Sequence, residues 1–228
     1  MESGIFYGVG TGPGDPELMT LKAVRLINEN EVIAIPGKRA QDSAALRIAA
    51  GAAPGIEDKE ILPLYMPMSS DEEIVRQSHE RAAIKVEEVL KGGRNVVFLV
   101  LGDPMIYSTY SYLKSIIEKD GFETQTVSGV TSFCAAAARA GVPIAQNDEQ
   151  IHIIPAFKED KIKLDYPGNY VIMKSGRKMD QVRGAFIEGG YSACAVENCG
   201  MENEMVYRSL EEIPDQTGYF SVVIAKPE

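Results

Sequence analysis

Three short segments carry the residue types that can do chemistry. They are Gly8-Val9-Gly10-Thr11-Gly12-Pro13-Gly14-Asp15, Leu101-Gly102-Asp103-Pro104 and Ser128-Gly129-Val130-Thr131-Ser132. Each follows an apolar run and precedes a helical pattern. Glycine lets a backbone approach a ligand closely. Asp or a hydroxyl accepts from the free N–H groups of a helix start, and Pro in the first turn has no N–H to leave unpaired. Such junctions offer backbone donors to a carboxylate, a phosphate or sugar hydroxyls. The structural alternative at each one is a capped helix and nothing more. The first loop is not a dinucleotide fingerprint. Counted from Gly8, the third glycine position of G-x-G-x-x-G falls on Pro13, and counted from Gly10 it falls on Asp15. Cys134, Cys194 and Cys199 lack C-x-x-C spacing, and His79 and His152 are the only histidines, so neither a disulfide framework nor a protein-built metal site is expected.

The elements that must position these loops alternate along the first half. Apolar runs at Ile5–Val9, Val32–Ile35, Glu60–Leu64, Val96–Leu101 and Thr124–Val127 read as strands, several of them buried on both faces. Helices are expected over Leu18–Glu29, Ser43–Ala52, Asp71–Leu90 and Tyr107–Asp120. In the third of these, Ile74, Ala82, Val86 and Val89 share one apolar face, and His79 falls on the polar surface. This βαβα order predicts a parallel sheet covered by helices. The second half has more strands (Ile151–Pro155, Tyr170–Lys174, Ser192–Glu197, Met205–Ser209, Ser221–Ala225) and only the helices Thr131–Ala140 and Lys178–Gly189. It predicts a mixed sheet. We place the domains at 1–128 and 129–228.

The chain of 228 residues has 23 basic and 33 acidic residues, a net charge of −10. One or two domains of ordinary composition fit that length. The acidic excess argues against non-specific nucleic-acid binding and against a polybasic membrane contact. No apolar run approaches the roughly 18 residues of a membrane span, and the first residues lack a signal-peptide pattern. A cytoplasmic protein is expected. If the partner is anionic, the positive charge it needs must be local.

The order Gly-x-Gly-x-Gly-Pro-Gly-Asp (residues 8–15), Gly102-Asp103-Pro104 and Ser128-Gly129-Val130-Thr131-Ser132 resembles the tetrapyrrole methylases over essentially the whole chain. Tyr65-Met66-Pro67-Met68 and the long aromatic stretch from Leu101 to Leu113 are similar to the family branch that methylates C-20 of precorrin-2 or cobalt-factor II. The resemblance implies two αβα domains with S-adenosylmethionine in a cleft between them, S-adenosylhomocysteine as product, and a homodimer. It carries cofactor binding onto Pro13, Leu101, Gly102, Asp103, Ile106, Thr131, Ser132, Met173 and the loop after Glu197-Asn198. Where many relatives have Glu-Asn-Gly, this chain has Glu197-Asn198-Cys199-Gly200, so either Cys199 or Gly200 takes the cofactor-facing place. Met173 can pack against adenine, or can be ordinary core.

A methyl on a sulfonium is already activated. Orientation and exclusion of water then supply rate, and a base must remove one proton from the product. The candidates are Asp15, Tyr107 and His152, with Asp103 beside them; His152, between Ile151 and Ile153, reads equally as a wall residue of a strand. The macrocycle carries many carboxylates, and Lys38, Arg39, Arg139, Lys174 and Arg177 are the cations expected to meet them. Met66, Met68 and Met105 offer soft apolar surface to a ring face. The alternatives are another tetrapyrrole C-methyltransferase of the same fold and a nicotinamide-dependent oxidoreductase; the failed fingerprint counts against the second.

Overall fold

The computed structural model describes residues 3–67, 69–156 and 162–228. Met68 and the Arg177 side chain, both singled out above, lie outside the described residues. The chain divides into two compact units, Met1–Thr131 and Ser132–Glu228. No helix among the described residues is long and apolar enough to cross a membrane.

The first unit is built on five parallel strands: β1 (Phe6–Gly10), β2 (Val32–Pro36), β3 (Glu60–Leu64), β4 (Val96–Val100) and β5 (Thr124–Val127). Their order is β3-β2-β4-β1-β5. The central strands β1 and β4 are buried throughout, as continuous apolar runs require, while the edge strand β3 is only half-buried. Helices α1 (Leu21–Glu29), α2 (Ala44–Ala52), α3 (Glu72–Lys91) and α4 (Tyr110–Lys119) cover the sheet. Side-chain oxygens of Thr20, Ser43 and Asp71 accept from the first-turn N–H groups of α1, α2 and α3, which fixes where each helix starts. Parallel strands put all five carboxyl ends on one sheet edge, where ligands of open α/β sheets bind.

Helix α4 starts three residues later than expected. Tyr107 sits at φ 49, a left-handed conformation that right-handed helix cannot include. Tyr110 then anchors the helix. Its ring lies against Phe6 and Phe98, with centroids 5.5 and 6.4 Å away, and its hydroxyl donates to the Gln125 carbonyl at 3.0 Å. That ring occupies the space a side chain at residue 8 would need: a Cβ on Gly8 would stand 2.3 Å from it. Two expectations about α3 are corrected. His79 is buried and stacks on Tyr112 at 5.1 Å, and burial lowers its pKa. Ile74 leaves the apolar face and is 49% exposed.

The second unit has a mixed sheet of order β6-β7-β10-β8-β9. Strands β6 (Ile151–Pro155), β7 (Asn169–Met173) and β8 (Tyr191–Glu197) run one way, and β9 (Met205–Tyr207) and β10 (Ser221–Pro227) run antiparallel to them. Helices α5 (Ser132–Ala140) and α6 (Met179–Gly189) pack on it. At the amino end of β7, the Glu149 carboxylate accepts from Asn169 Nδ2 at 2.8 Å and from Gln146 N–H at 3.0 Å, and meets Lys226 Nζ at 3.0 Å. These bonds hold the Glu149 pKa at about 2, below the ordinary 4.5. A depressed carboxyl pKa stabilises the fold above the unfolded value and loses that contribution as pH falls through the folded one. Glu149→Gln is therefore expected to lower the melting temperature at pH 7, with the gap closing as pH falls from 4.5 toward 2. Melting curves over that range check it; a gap that does not depend on pH would assign the loss to packing instead.

Candidate active site

The loops after β1, β4 and β5 meet at one point. Thr11 N–H donates to the Val100 carbonyl at 2.8 Å, and Gly12 and Gly102 then pair as an antiparallel bridge, with Gly102 N–H donating to the Gly12 carbonyl at 2.8 Å. Gly10 and Gly129 close the junction. A Cβ on Gly129 would lie 2.2 Å from the Gly102 carbonyl oxygen, and one on Gly10 would lie 2.6 Å from the same oxygen. The glycines thus serve contact between loop backbones, which explains why their spacing misses the dinucleotide pattern. Asp103 ties the junction from the side: Oδ1 accepts from Met105 N–H at 2.8 Å and Oδ2 from Gly129 N–H at 2.9 Å. Both carboxylate oxygens hold backbone.

The three junctions were expected to be alike, and they differ. Asp15 accepts from Glu17 N–H at 2.9 Å and caps a short 3-10 turn, Pro16–Leu18. Asp103 caps a turn, with no helix before Tyr110. Thr131, expected to cap with its hydroxyl, has a buried Oγ1 with no hydrogen-bond partner among the described residues. An orphaned buried hydroxyl next to this junction suits a ligand with polar groups to share. In the second unit, the Ser175 hydroxyl, past the carboxyl end of β7, is likewise buried and unpartnered among the described residues.

The carboxyl edge of the first sheet gathers Pro13, Asp15, Lys38, Arg39, Leu101, Gly102, Asp103, Ile106, Tyr107 and Thr131. Pro13 is buried, and Tyr107 is 47% exposed in its strained backbone. The carboxyl edge of the second sheet gathers Met173, Lys174 and Cys199, and Ser132 opens α5. Lys174 follows β7 at φ 58, and burial lowers its pKa. Cys199 is buried, whereas Gly200 N–H donates to Glu204 Oε2 at 2.8 Å.

Other expected residues stand apart from this chemistry. His152 is near the amino end of β6, in register with Tyr170, three residues and about 10 Å from the level of Met173. Its ring nitrogen Nε2 is 3.0 Å from the Pro167 carbonyl, and its ring packs on Tyr166 and Tyr170. These contacts place its ring in the wall of the strand, away from the carboxyl end. Arg39 is engaged by Asp42 through two hydrogen bonds, and Arg139 pairs with Glu204. Sequence reasoning missed Tyr110 and the contact of Gly10 with Gly129. The first is one tyrosine among three between residues 107 and 112, and only the ring's seat over Gly8 sets it apart.

A family model for tetrapyrrole (corrin/porphyrin) methylases matches residues 6–214. The chain belongs to the tetrapyrrole methylase family. Enzymes of this family use S-adenosylmethionine. Among curated proteins, this methylase is 32% identical to "Probable cobalt-precorrin-2 C(20)-methyltransferase" of Methanocaldococcus jannaschii, over 96% of this chain and 95% of the relative. It is 30% identical to precorrin-2 C(20)-methyltransferase of a Sinorhizobium species, over 97% and 94% of the two chains. Among solved structures, uroporphyrin-III C-methyltransferase of Thermus thermophilus, complexed with S-adenosylhomocysteine, shares the fold at TM-score 0.70 and 23% identity, covering 98% of this chain and 97% of that one. The tetrapyrrole methylase fold is thus the two-sheet α/β architecture described above.

Proposed function

We propose that this tetrapyrrole methylase methylates the C-20 meso carbon of precorrin-2 or cobalt-factor II in corrin biosynthesis. The observation that carries the reading is the glycine junction with its orphaned Thr131 hydroxyl at one sheet edge, in a chain whose near-full-length relatives bear C(20) names. When bound, S-adenosylmethionine supplies an activated methyl group. In this reading Pro13, Leu101, Gly102, Ile106, Thr131, Ser132, Met173 and Cys199 are the cofactor-binding residues. Backbone N–H groups and the Thr131 hydroxyl suit its carboxylate and ribose. Asp103 acts by fixing the loops, since both its oxygens already accept from backbone. Tyr107 and Asp15 remain the groups at the edge able to take the product proton. Lys38, just past the carboxyl end of β2, and Lys174, just past that of β7, are the cations for the substrate's acidic groups in this reading. The reading takes the working form as a homodimer, which sedimentation of the purified chain decides.

Calorimetry is expected to give saturable S-adenosylhomocysteine binding and no binding of NAD. Carbon-13-labelled cofactor is expected to place its label on the meso carbon between rings A and D. Label on a pyrrole carbon would remove the C-20 assignment and leave another tetrapyrrole C-methyltransferase. Metal-free and cobalt-bound substrate, assayed side by side, separate the two acceptors.

A further inference from the structure

A groove of ≈ 300 Å³ runs beside the first sheet's edge strand, between Tyr65 and Pro67 on one wall and Gln77, Arg81, Ala82 and Lys85 of α3 on the other. Gln77, Arg81 and Lys85 are spaced i, i+4, i+8, so they form one stripe along the helix. Arg81 and Lys85 are like charges one turn apart, a repulsive arrangement. Neither is in an ion pair among the described residues, and Arg81 keeps only a 3.4 Å hydrogen bond to Gln77. Elsewhere on the same helix, Arg76 pairs with Glu73 and Glu80, and Lys91 with Glu87. A third cation joins them: Lys38 Nζ stands 4.4 Å from the centroid of the Tyr65 ring. In a chain of net charge −10, three cations with no carboxylate partner among the described residues stand at one groove, two in its lining and Lys38 against its Tyr65 wall.

The groove also has an apolar side. Tyr65 is 50% exposed, and Pro67, Ile74 and Ala82 make up the rest of its apolar lining. Cations beside an aromatic face and small apolar groups suit carboxylates carried on short arms of a flat ring. Its position fits. Tyr65 and Pro67 leave the carboxyl end of β3, two strands and about 10 Å from β4, on the edge that carries the Gly102 loop. We infer that this groove receives peripheral carboxylate arms of the macrocycle, and that Arg81, Lys85 and Lys38 are specificity-determining residues for a polycarboxylate acceptor. The inference rests on the tetrapyrrole reading above and adds the place where the acceptor's acids are held.

The test uses uroporphyrin III, a flat polycarboxylate, and its methyl ester as binding probes on the full chain. Wild-type protein is expected to bind the acid, more weakly as salt rises, and to ignore the ester. The double variant Arg81→Gln/Lys85→Gln is expected to lose about tenfold or more in affinity for the acid, with S-adenosylhomocysteine affinity unchanged. Arg81→Lys, which keeps the charge, should retain most of it. Both positions are exposed on α3, and a melting curve checks that the variants fold. Equal uroporphyrin affinity in wild type and double variant, or no binding by wild type, overturns the inference. The methylation assay separates this inference from the C-20 reading. An unchanged KM with label at C-20 sinks the groove and spares C-20. A raised KM with label on a pyrrole carbon sinks C-20 and spares the groove.

Discussion

Gly129→Ala is expected to abolish S-adenosylhomocysteine binding and to lower the melting temperature by about 6–12 °C. The added Cβ would stand 2.2 Å from the Gly102 carbonyl oxygen and 2.9 Å from Gly10 Cα. All the near atoms are backbone, so no side chain can swing aside. Gly129 does not have a positive φ, and alanine could adopt its backbone conformation. The requirement is therefore steric, and the β5 loop must move away from the β4 loop. Overpacking against fixed backbone costs about 3 kcal/mol, and each kcal/mol moves a chain of this size by about 2–4 °C. Separating the loops also withdraws the Asp103 bond from Gly129 and shifts the neighbouring Thr131 hydroxyl. Gly184→Ala provides the contrast. Gly184 lies within α6, and a Cβ there meets nothing within 4 Å. Alanine should raise helix stability by up to about 1 kcal/mol and leave cofactor affinity alone. Unchanged melting and binding in Gly129→Ala would show that the loops relax apart at little cost, and the junction would lose its proposed role.

What the sequence revealed and what it hid divide along a physical line. Period and punctuation made the strands and helices legible, because a buried parallel strand is a continuous apolar run and a capped helix start is a Ser, Thr or Asp before it. Val96–Val100 and the Asp71 cap are examples. The opposite chain directions within the second sheet were legible only as a surplus of strands. Contacts across large sequence separation were hidden. Nothing local announces that Gly10 and Gly129 touch, or that Tyr110 lies over Gly8. Local pattern misled at Tyr107, where helix propensity lost to a left-handed turn, and at His79, where a polar neighbourhood in sequence concealed a stack with Tyr112. The cations show the same limit. Their number was visible, yet which were already paired was not: Arg39 and Arg139 have acidic partners, and Arg81 and Lys85, passed over in the sequence, have none among the described residues.

Asp103→Asn separates two roles that an affinity measurement alone would merge. The carboxylate accepts from two backbone donors, Met105 N–H and Gly129 N–H. Asparagine keeps one acceptor oxygen and brings an NH2 group, so one loop must face donor against donor. Losing one charge-assisted bond costs about 2 kcal/mol, or about 4–8 °C for a chain of this size. That loss should appear in the free protein, before any ligand is added. Affinity for S-adenosylhomocysteine should then fall by about tenfold or more, because binding must first restore the loop geometry. Asp103→Ala should cost more in the free protein, since both N–H groups lose their acceptor. Had Asp103 served the cofactor directly, the free protein would melt normally and only the complex would weaken. The order of losses is thus the discriminating result: stability first marks Asp103 as the residue that positions the β4 and β5 loops, and affinity alone marks it as a ligand contact whose observed backbone bonds are dispensable.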